Sequence, residues 1–125
     1  MIDISQVGAH ALAYLGDSVL ETMIREALIF KGIEKSSHLN KEALNYVTAI
    51  NQNKAYLNIE NMLSEEEKAV FKRGRNSSHL NIPKSASPLE YKNATGFEAI
   101  FGYLKLQKNE DRISELFSLA YPDLT

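Results

Sequence analysis

Apolar side chains recur along most of the chain at intervals of three and four residues, and no segment sustains an alternation of apolar and polar positions. Such spacing is typical of amphipathic α-helices, whereas a period of two would indicate β-strands. All three prolines lie late, at positions 83, 88 and 122, so they do not interrupt the earlier helical pattern. The pattern predicts an all-α fold, a compact bundle of five to seven helices.

Two helical regions are predicted in the first half of the chain. The first runs from about Ser5 to Lys31, and Gly32 is its stop signal. The second runs from about Ser37 to Asn61, with a break near residues 51–53. The expected apolar stripe of the first helix consists of Val7, Ala11, Tyr14, Leu15, Val19, Met23, Ala27 and Phe30.

Three further helices and one loop are predicted in the second half. A helix begins at Ser64, where Ser-Glu-Glu-Glu places Glu67 at the capping-box position, and runs to about Asn76. Residues 77–89 form the loop. The last two helices span about Glu90–Gln107 and Glu110–Ala120. Their buried faces are expected to contain Phe97, Ile100, Phe101 and Leu104, then Ile113, Leu116, Phe117 and Ala120.

Composition places the chain in the class of ordinary globular proteins. Its 125 residues fit a single domain, residues 1–125, with 44% hydrophobic and 24% charged positions. The absence of cysteine excludes disulfides, thiolate metal sites and cysteine nucleophiles. No apolar run is long enough to span a membrane, and the N-terminal MIDISQ lacks the regions of a signal peptide. A cytoplasmic protein is therefore expected.

Charge is distributed unevenly along the chain. The net charge of −2 by itself argues against a nucleic-acid partner. However, residues 68–92 carry a net charge of +5, and the remainder carries −7. A local basic block in an acidic protein indicates a partner better than the overall charge does. The charged residues of this block are Lys68, Lys72, Arg73, Arg75, Lys84, Glu90 and Lys92.

Asp17 is an unusual residue because it follows Gly16 within an otherwise apolar stretch, LAYLGDSVLE. Glu21 lies one helical turn later, so both carboxylates share a helix face. Neighbouring acids repel unless a cation or a basic group lies between them. A metal-binding or acid–base role is one interpretation. The other is that Asp17 caps a separate helix beginning at Ser18.

Glu98 is a second acid in an apolar setting, within ATGFEAIFGYL. It needs a partner, access to solvent or a shifted pKa, although it could simply lie on the polar stripe of its helix. Small residues near both acids would let the two helices approach closely and bring Asp17 and Glu98 within reach of one hard cation such as Mg²⁺. These small residues are Gly16, Ser18, Thr95, Gly96 and Ala99.

The segment KRGRNSSHLNIPK, residues 72–84, combines cations with small polar side chains. Cations neutralise phosphates, and Ser and Asn make short contacts to phosphate or ribose, although a solvated helix end would show the same composition. A basic segment that binds phosphates, together with Asp17 and Glu98 as possible metal ligands, indicates an all-α nuclease. The three histidines, in contrast, lack the spacing of metal ligands. The candidate RNA-binding residues are Lys72, Arg73, Arg75, Asn76, His79 and Lys84.

Three segments in order resemble the ribonuclease III family. LAYLGDSVLE, residues 12–21, resembles its signature helix, and TGFEAIFGYL, residues 95–104, resembles its second catalytic helix. KRGRN at 72–76, followed by Pro83 and Lys84, resembles the short Mini-III branch in particular. That branch has the endonuclease domain without an appended double-stranded-RNA-binding domain.

The resemblance implies a homodimeric, Mg²⁺-dependent endoribonuclease that cleaves double-stranded RNA and leaves 5′-phosphate and 3′-hydroxyl ends. It implies precursor of 23S ribosomal RNA as the substrate. A ribosomal protein or particle could present that RNA. Asp17 and Glu98 match the catalytic, metal-binding acids of the two motifs.

Two positions depart from the pattern of full-length ribonuclease III enzymes. Ala13 and Thr95 stand where those enzymes carry a further glutamate and aspartate, as in the Mini-III branch. Thr95 could support a water at the metal, and Glu21 could form a structural pair with Arg25. The missing acids leave a second hypothesis, a non-catalytic duplex-RNA-binding helper with the same fold. A protein–protein adaptor bundle is a third.

Overall fold

A computed structural model describes residues 2–77 and 86–125. Within these residues the chain forms six α-helices and no β-strand, which confirms the predicted all-α bundle. No described helix is both long and apolar enough to cross a lipid bilayer. The helices are α1 (Ala9–Phe30), α2 (Ser36–Val47), α3 (Ala49–Ile59), α4 (Glu65–Ser77), α5 (Pro88–Leu106) and α6 (Glu110–Ala120).

The starts of α4 and α5 are set by two capping boxes. At α4 the Ser64 hydroxyl accepts a hydrogen bond from the Glu67 N–H (3.1 Å), and the Glu67 carboxylate accepts one from the Ser64 N–H (2.8 Å), as predicted. At α5 the corresponding pair is Ser87 and Glu90. The helix therefore begins at Pro88, before the predicted Glu90, because proline is favoured at a first helical position.

Two predicted boundaries in the first half are wrong. The first helix begins at Ala9 rather than Ser5, because extended Gly8 is its N-cap and a separate 3₁₀ turn precedes it. The break in the second helical region lies at Thr48, before the predicted residues 51–53. There the Thr48 hydroxyl accepts a hydrogen bond from the backbone N–H of Asn51 (3.4 Å) and starts α3.

The predicted apolar stripe of α1 matches the buried face of the helix only in part. Tyr14 and Phe30, both assigned to that stripe, are 85% and 90% exposed. Because α1 is apolar on more than one face, spacing alone does not identify the face that its neighbours cover. The fully buried residues of α1 are Leu12, Ala13, Gly16, Leu20, Ile24 and Leu28. Three members of the predicted stripe also pack against the core, although they are only partly buried: Val19, Met23 and Ala27.

Helix α5 is the centre of the bundle, with α1, α3 and α4 packed around it, and α6 packs against α3 and α5. The apolar faces predicted for α5 and α6 are confirmed, since their eight named residues are all buried. Gly32, with φ of +96°, ends the first helical segment as predicted. Residues on α5 that face α1 and α3 are therefore placed where three helices meet.

Candidate active site

Helices α1 and α5 touch at two glycines. A Cβ atom added to Gly16 would lie 1.7 Å from the carbonyl oxygen of Glu98, and one added to Gly102 would lie 1.8 Å from that of Leu12. No larger residue fits at either position without separating the helices. This contact places Asp17, which follows Gly16 in the chain, beside Glu98.

A second close approach joins α4 to the other side of α5. A Cβ atom on Gly74 would lie 2.9 Å from Cα of Gly96, and one on Gly96 would lie 2.7 Å from the carbonyl oxygen of Phe71. Gly96 therefore serves the contact with α4 rather than the expected contact with α1. Helix α5 therefore packs against both α1, which carries Asp17, and the basic helix α4.

The carboxylates of Asp17 and Glu98 lie near each other, as expected, and Asp17 acts on the ionisation of Glu98. Helix α1 runs without interruption from Ala9 to Phe30, so the interpretation of Asp17 as the cap of a separate helix is wrong. The Asp17 side chain is exposed and Glu98 is half-buried. One acid thus reaches solvent while the other lies against the core.

The environment of Glu98 opposes its ionisation. Burial, followed by the nearby carboxylate of Asp17 and its negative charge, raises the pKa of Glu98 to about 8, and the charge of Glu21 adds to the shift. A hydrogen bond from Gln52 acts in the opposite direction. These surroundings differ from the solvated polar stripe that is the alternative interpretation of Glu98.

The donor atoms of the pair suit a hard divalent cation. Mg²⁺ is usually held by one or two carboxylates, with water and phosphate oxygens completing its shell. A cation would also relieve the repulsion between the two acids. Among the described residues, no group of three or more histidine, aspartate or glutamate side chains is arranged to hold a metal. The carboxylate oxygens of Asp17 and Glu98 fit Mg²⁺ as a two-carboxylate site.

The supporting residues named from the sequence have local partners. Glu21 forms an ion pair with Arg25 (3.6 Å), as expected, and both side chains are substantially exposed. The Thr95 hydroxyl donates a hydrogen bond to the carbonyl oxygen of Tyr91 (3.1 Å). Ala13 is buried against α5 and α4.

Gln52 is a site residue that the sequence alone does not identify. Its side-chain amide donates a long hydrogen bond to Oε2 of Glu98 (3.5 Å), and the residue is only 4% exposed. The available signal is the polar triplet 51–53, which instead predicts a helix break. Because the two residues are far apart in sequence, only the packing of α3 on α5 reveals the contact.

The basic residues predicted to contact RNA lie on α4, as far as the structure describes them. Lys72 and Arg73 are exposed, and the Arg73 guanidinium donates a hydrogen bond to the carbonyl oxygen of Val7 (2.6 Å). Arg75 is half-buried, with its guanidinium 5.8 Å from the ring centre of Phe71. Two predicted residues lie outside the described part of the chain, His79 and Lys84.

These cations border an open cleft of about 620 Å³ between α4 and the end of α3. Its floor includes stacked rings of Tyr56 and Phe71, whose centres are 4.0 Å apart. Two acids also line the cleft, so its charge is mixed. The polar residues that line it are Glu60, Glu65, Lys68, Lys72, Arg73, Arg75 and Asn76.

Known proteins resemble this chain over most of its length. Residues 10–109 match the model of the ribonuclease III domain. A Mini-ribonuclease 3 from Streptococcus pneumoniae is 40% identical over 120 residues, which covers 94% of each chain. One from Symbiobacterium thermophilum is 42% identical over 109 residues, covering 87% of this chain and 84% of the relative.

A solved structure supports the same relationship. The crystal structure of a Fusobacterium nucleatum protein matches with a TM-score of 0.87 and 34% identity, covering 100% of both chains. The match to the domain model and the identity to named relatives favour an enzyme over the helper and adaptor hypotheses. The chain belongs to the ribonuclease III family, in its Mini-ribonuclease III branch, and is an endoribonuclease.

Proposed function

We propose that this endoribonuclease hydrolyses phosphodiester bonds of double-stranded RNA with Mg²⁺ held by Asp17 and Glu98. The observation that carries the proposal is the proximity of these two carboxylates where α1 crosses α5. They come from the two segments that resemble the family's catalytic helices. A pair of acids held together at a contact between glycines fits a cation better than it fits a structural role.

The proposed reaction is hydrolysis at phosphorus. The oxygen of a water molecule forms a bond to phosphorus, and the bond from phosphorus to the 3′ oxygen breaks. The 3′ oxygen takes up a proton, so the products carry a 5′-phosphate and a 3′-hydroxyl. Bound Mg²⁺ would supply positive charge that activates water and stabilises the phosphodiester in the transition state. Asp17 and Glu98 would hold the ion, and Gln52 donates a hydrogen bond to Glu98.

The proposed RNA-binding surface is the basic part of α4 with the segment that follows it. Cations there would neutralise backbone phosphates, while Asn76 and His79 would contact phosphate or ribose. Duplex RNA is recognised mainly by shape, phosphates and 2′-hydroxyls. Weak intrinsic sequence preference and salt-sensitive binding are therefore expected. The cations are Lys72, Arg73, Arg75 and Lys84.

A homodimer is part of the proposal. One protomer offers one acid pair, and a two-fold axis would bring a second pair to the other strand of a duplex. An exposed aromatic ring supports this assembly: Tyr14 is 85% exposed and precedes Asp17 by one helical turn. Burying such a ring against a second copy would be favourable. Light scattering of the purified protein measures the oligomeric state directly.

The proposed physiological substrate is precursor of 23S ribosomal RNA, in the cytoplasm. The support is the resemblance to the Mini-III branch and the identity to proteins named Mini-ribonuclease 3. A ribosomal protein or particle would present the duplex, because the single proposed binding surface offers few phosphate contacts.

The test is cleavage of a 23S-precursor stem and an unrelated duplex of equal length, with Mg²⁺ and with excess chelator. Cuts on both strands that require Mg²⁺ are expected, with faster cutting of the precursor stem when ribosomal proteins are added. Cutting that persists in chelator would overturn the metal assignment. Equal rates on both duplexes under all conditions would overturn the substrate assignment.

A further inference from the structure

Two adjacent amide side chains on α3 form hydrogen bonds with side chains of α5. Gln52 Nε2 donates to Oε2 of Glu98 (3.5 Å), and Asn53 Oδ1 accepts from Nδ2 of Asn93 (2.9 Å). Gln52 and Asn93 are both buried, at 4% and 8% exposure. A buried amide costs free energy unless it is hydrogen-bonded, so each partner helps to fix where the other lies.

Glu98 has two polar neighbours from other helices, Asp17 of α1 and Gln52 of α3. The two partners have opposite effects. Asp17 adds negative charge, whereas the amide N–H of Gln52 favours the ionised carboxylate. A lysine or arginine at position 52 would neutralise Glu98 and compete with a cation. A neutral donor orients the carboxylate and leaves its charge available.

We propose that Gln52 is a positioning residue for the phosphodiesterase reaction, which holds the Glu98 carboxylate beside Asp17 in the arrangement that accepts a divalent cation. The inference rests on the proposed metal-binding function of the acid pair. It predicts that removing the amide weakens metal binding and slows the chemical step. Residues that orient metal ligands typically contribute about tenfold to a hundredfold to metal affinity or activity.

Asn53 provides a matched control on the same helix. Its hydrogen bond joins the same two helices, α3 and α5, but reaches Asn93 rather than Glu98. If Gln52 acts only by packing α3 on α5, loss of either amide should have the same effect. If Gln52 acts through Glu98, only its own loss should change metal binding.

The experiment compares Gln52→Met, which keeps the length of the side chain without its N–H donors, with Asn53→Leu. Cleavage kinetics on duplex RNA give kcat and KM, and calorimetry gives the affinity for Mn²⁺ alone, without RNA. Gln52→Met should lower kcat by about tenfold to a hundredfold with little change in KM, and weaken Mn²⁺ binding similarly. Asn53→Leu should have a kcat and an affinity for Mn²⁺ within about twofold of the wild-type values.

Two outcomes would overturn the proposal. One is that Gln52→Met matches the wild type in kcat and in Mn²⁺ affinity. The other is that Gln52→Met and Asn53→Leu lose kcat and Mn²⁺ affinity equally, which would show that Gln52 acts only by packing α3 on α5. Gln52→Leu is the second variant if Gln52→Met does not fold, as thermal unfolding reports.

The Asp17→Asn variant distinguishes failure of this inference from failure of the proposed metal-binding function on which it rests. Loss of cutting in Asp17→Asn with a normal Gln52→Met would reject only the role of Gln52. Normal cutting by Asp17→Asn would reject the proposed metal pair itself.

Discussion

Two carboxylates of the same bundle, Glu67 and Glu98, have opposite surroundings. Glu67 is 4% exposed and accepts hydrogen bonds from Arg112 at both oxygens, from Nη2 (2.8 Å) and Nε (2.9 Å). Glu98 lies beside a second acid, Asp17, and accepts a hydrogen bond from a neutral amide. One acid is paired with a cation of the chain, and the other shares its site with a like charge.

The two acids differ accordingly in protonation. Burial would raise the pKa of Glu67, but the hydrogen bonds from Arg112 and from the Ser64 backbone outweigh it and lower the pKa below its ordinary value. For Glu98, burial and Asp17 act in the same direction and raise the pKa to about 8. Burial of an acid alone therefore does not indicate function. The charge of its neighbours distinguishes a structural acid from a candidate ligand.

The largest expected effect comes from neutralising the acid pair. Asp17→Asn or Glu98→Gln should reduce cleavage by about a hundredfold to a thousandfold or more, because the proposed cation loses a ligand. Binding to duplex RNA should persist. Single-turnover cleavage and gel-shift titration measure the two properties separately. Loss of binding with unchanged folding would assign these acids to the RNA interface instead.

Removing Arg112, the cation that pairs with Glu67, should lower the stability of the fold rather than the rate of cleavage. Arg112→Met leaves Glu67 charged and buried without its partner, and should lower the free energy of unfolding by about 2–4 kcal/mol. Urea unfolding at neutral pH measures it. The control is Lys105→Met, which breaks an exposed pair with Glu110 and should change stability by less than about 1 kcal/mol. Equal effects would show that burial of the pair is unimportant.

Neutralising Glu98 should stabilise the protein in chelator. Because the pKa of Glu98 in the fold is about 8, above its ordinary 4.5, the wild type should lose stability as pH rises between these values. Glu98→Gln resembles the protonated form and should gain about 1–3 kcal/mol at pH 8 but little at pH 5.

Urea unfolding at both pH values measures this difference. Glu26→Gln, an exposed neutralisation on α1, is the control and should show no such pH dependence. A Glu98→Gln variant that is less stable at pH 8 would contradict the repulsion inferred for the pair.

The smallest expected effect concerns the basic helix. Arg73→Ala should weaken binding to all duplexes and reduce the slope of log affinity against log salt by about one unit for each phosphate that is no longer neutralised. Lys105→Ala, at the far end of α5, should leave that slope unchanged. If Arg73→Ala lowers stability and spares the slope, the hydrogen bond to Val7 is the principal role of Arg73.

Much of the local structure follows from sequence signals that act over a few residues. The capping box at Ser64 and Glu67 and the stop at Gly32 are examples, because each depends on neighbours within one helical turn. The boundary at Thr48 is harder to predict because polar residues 51–53 resemble a break and in fact belong to α3. The buried face of α1 is also hard to predict, because its apolar residues do not define a single face.

The order of residues is enough to establish the helical class, the basic block and the identity of Asp17 and Glu98 as the acids to examine. It does not establish which residues touch them, because that depends on the packing of the helices. Gln52 is 46 positions from Glu98, and Arg112 is 45 from Glu67. Contacts at such separations arise only when helix faces pack. The approach of α1 to α5 also depends on glycines where the two backbones meet. Periodicity describes each helix alone, so it carries no information about its partner.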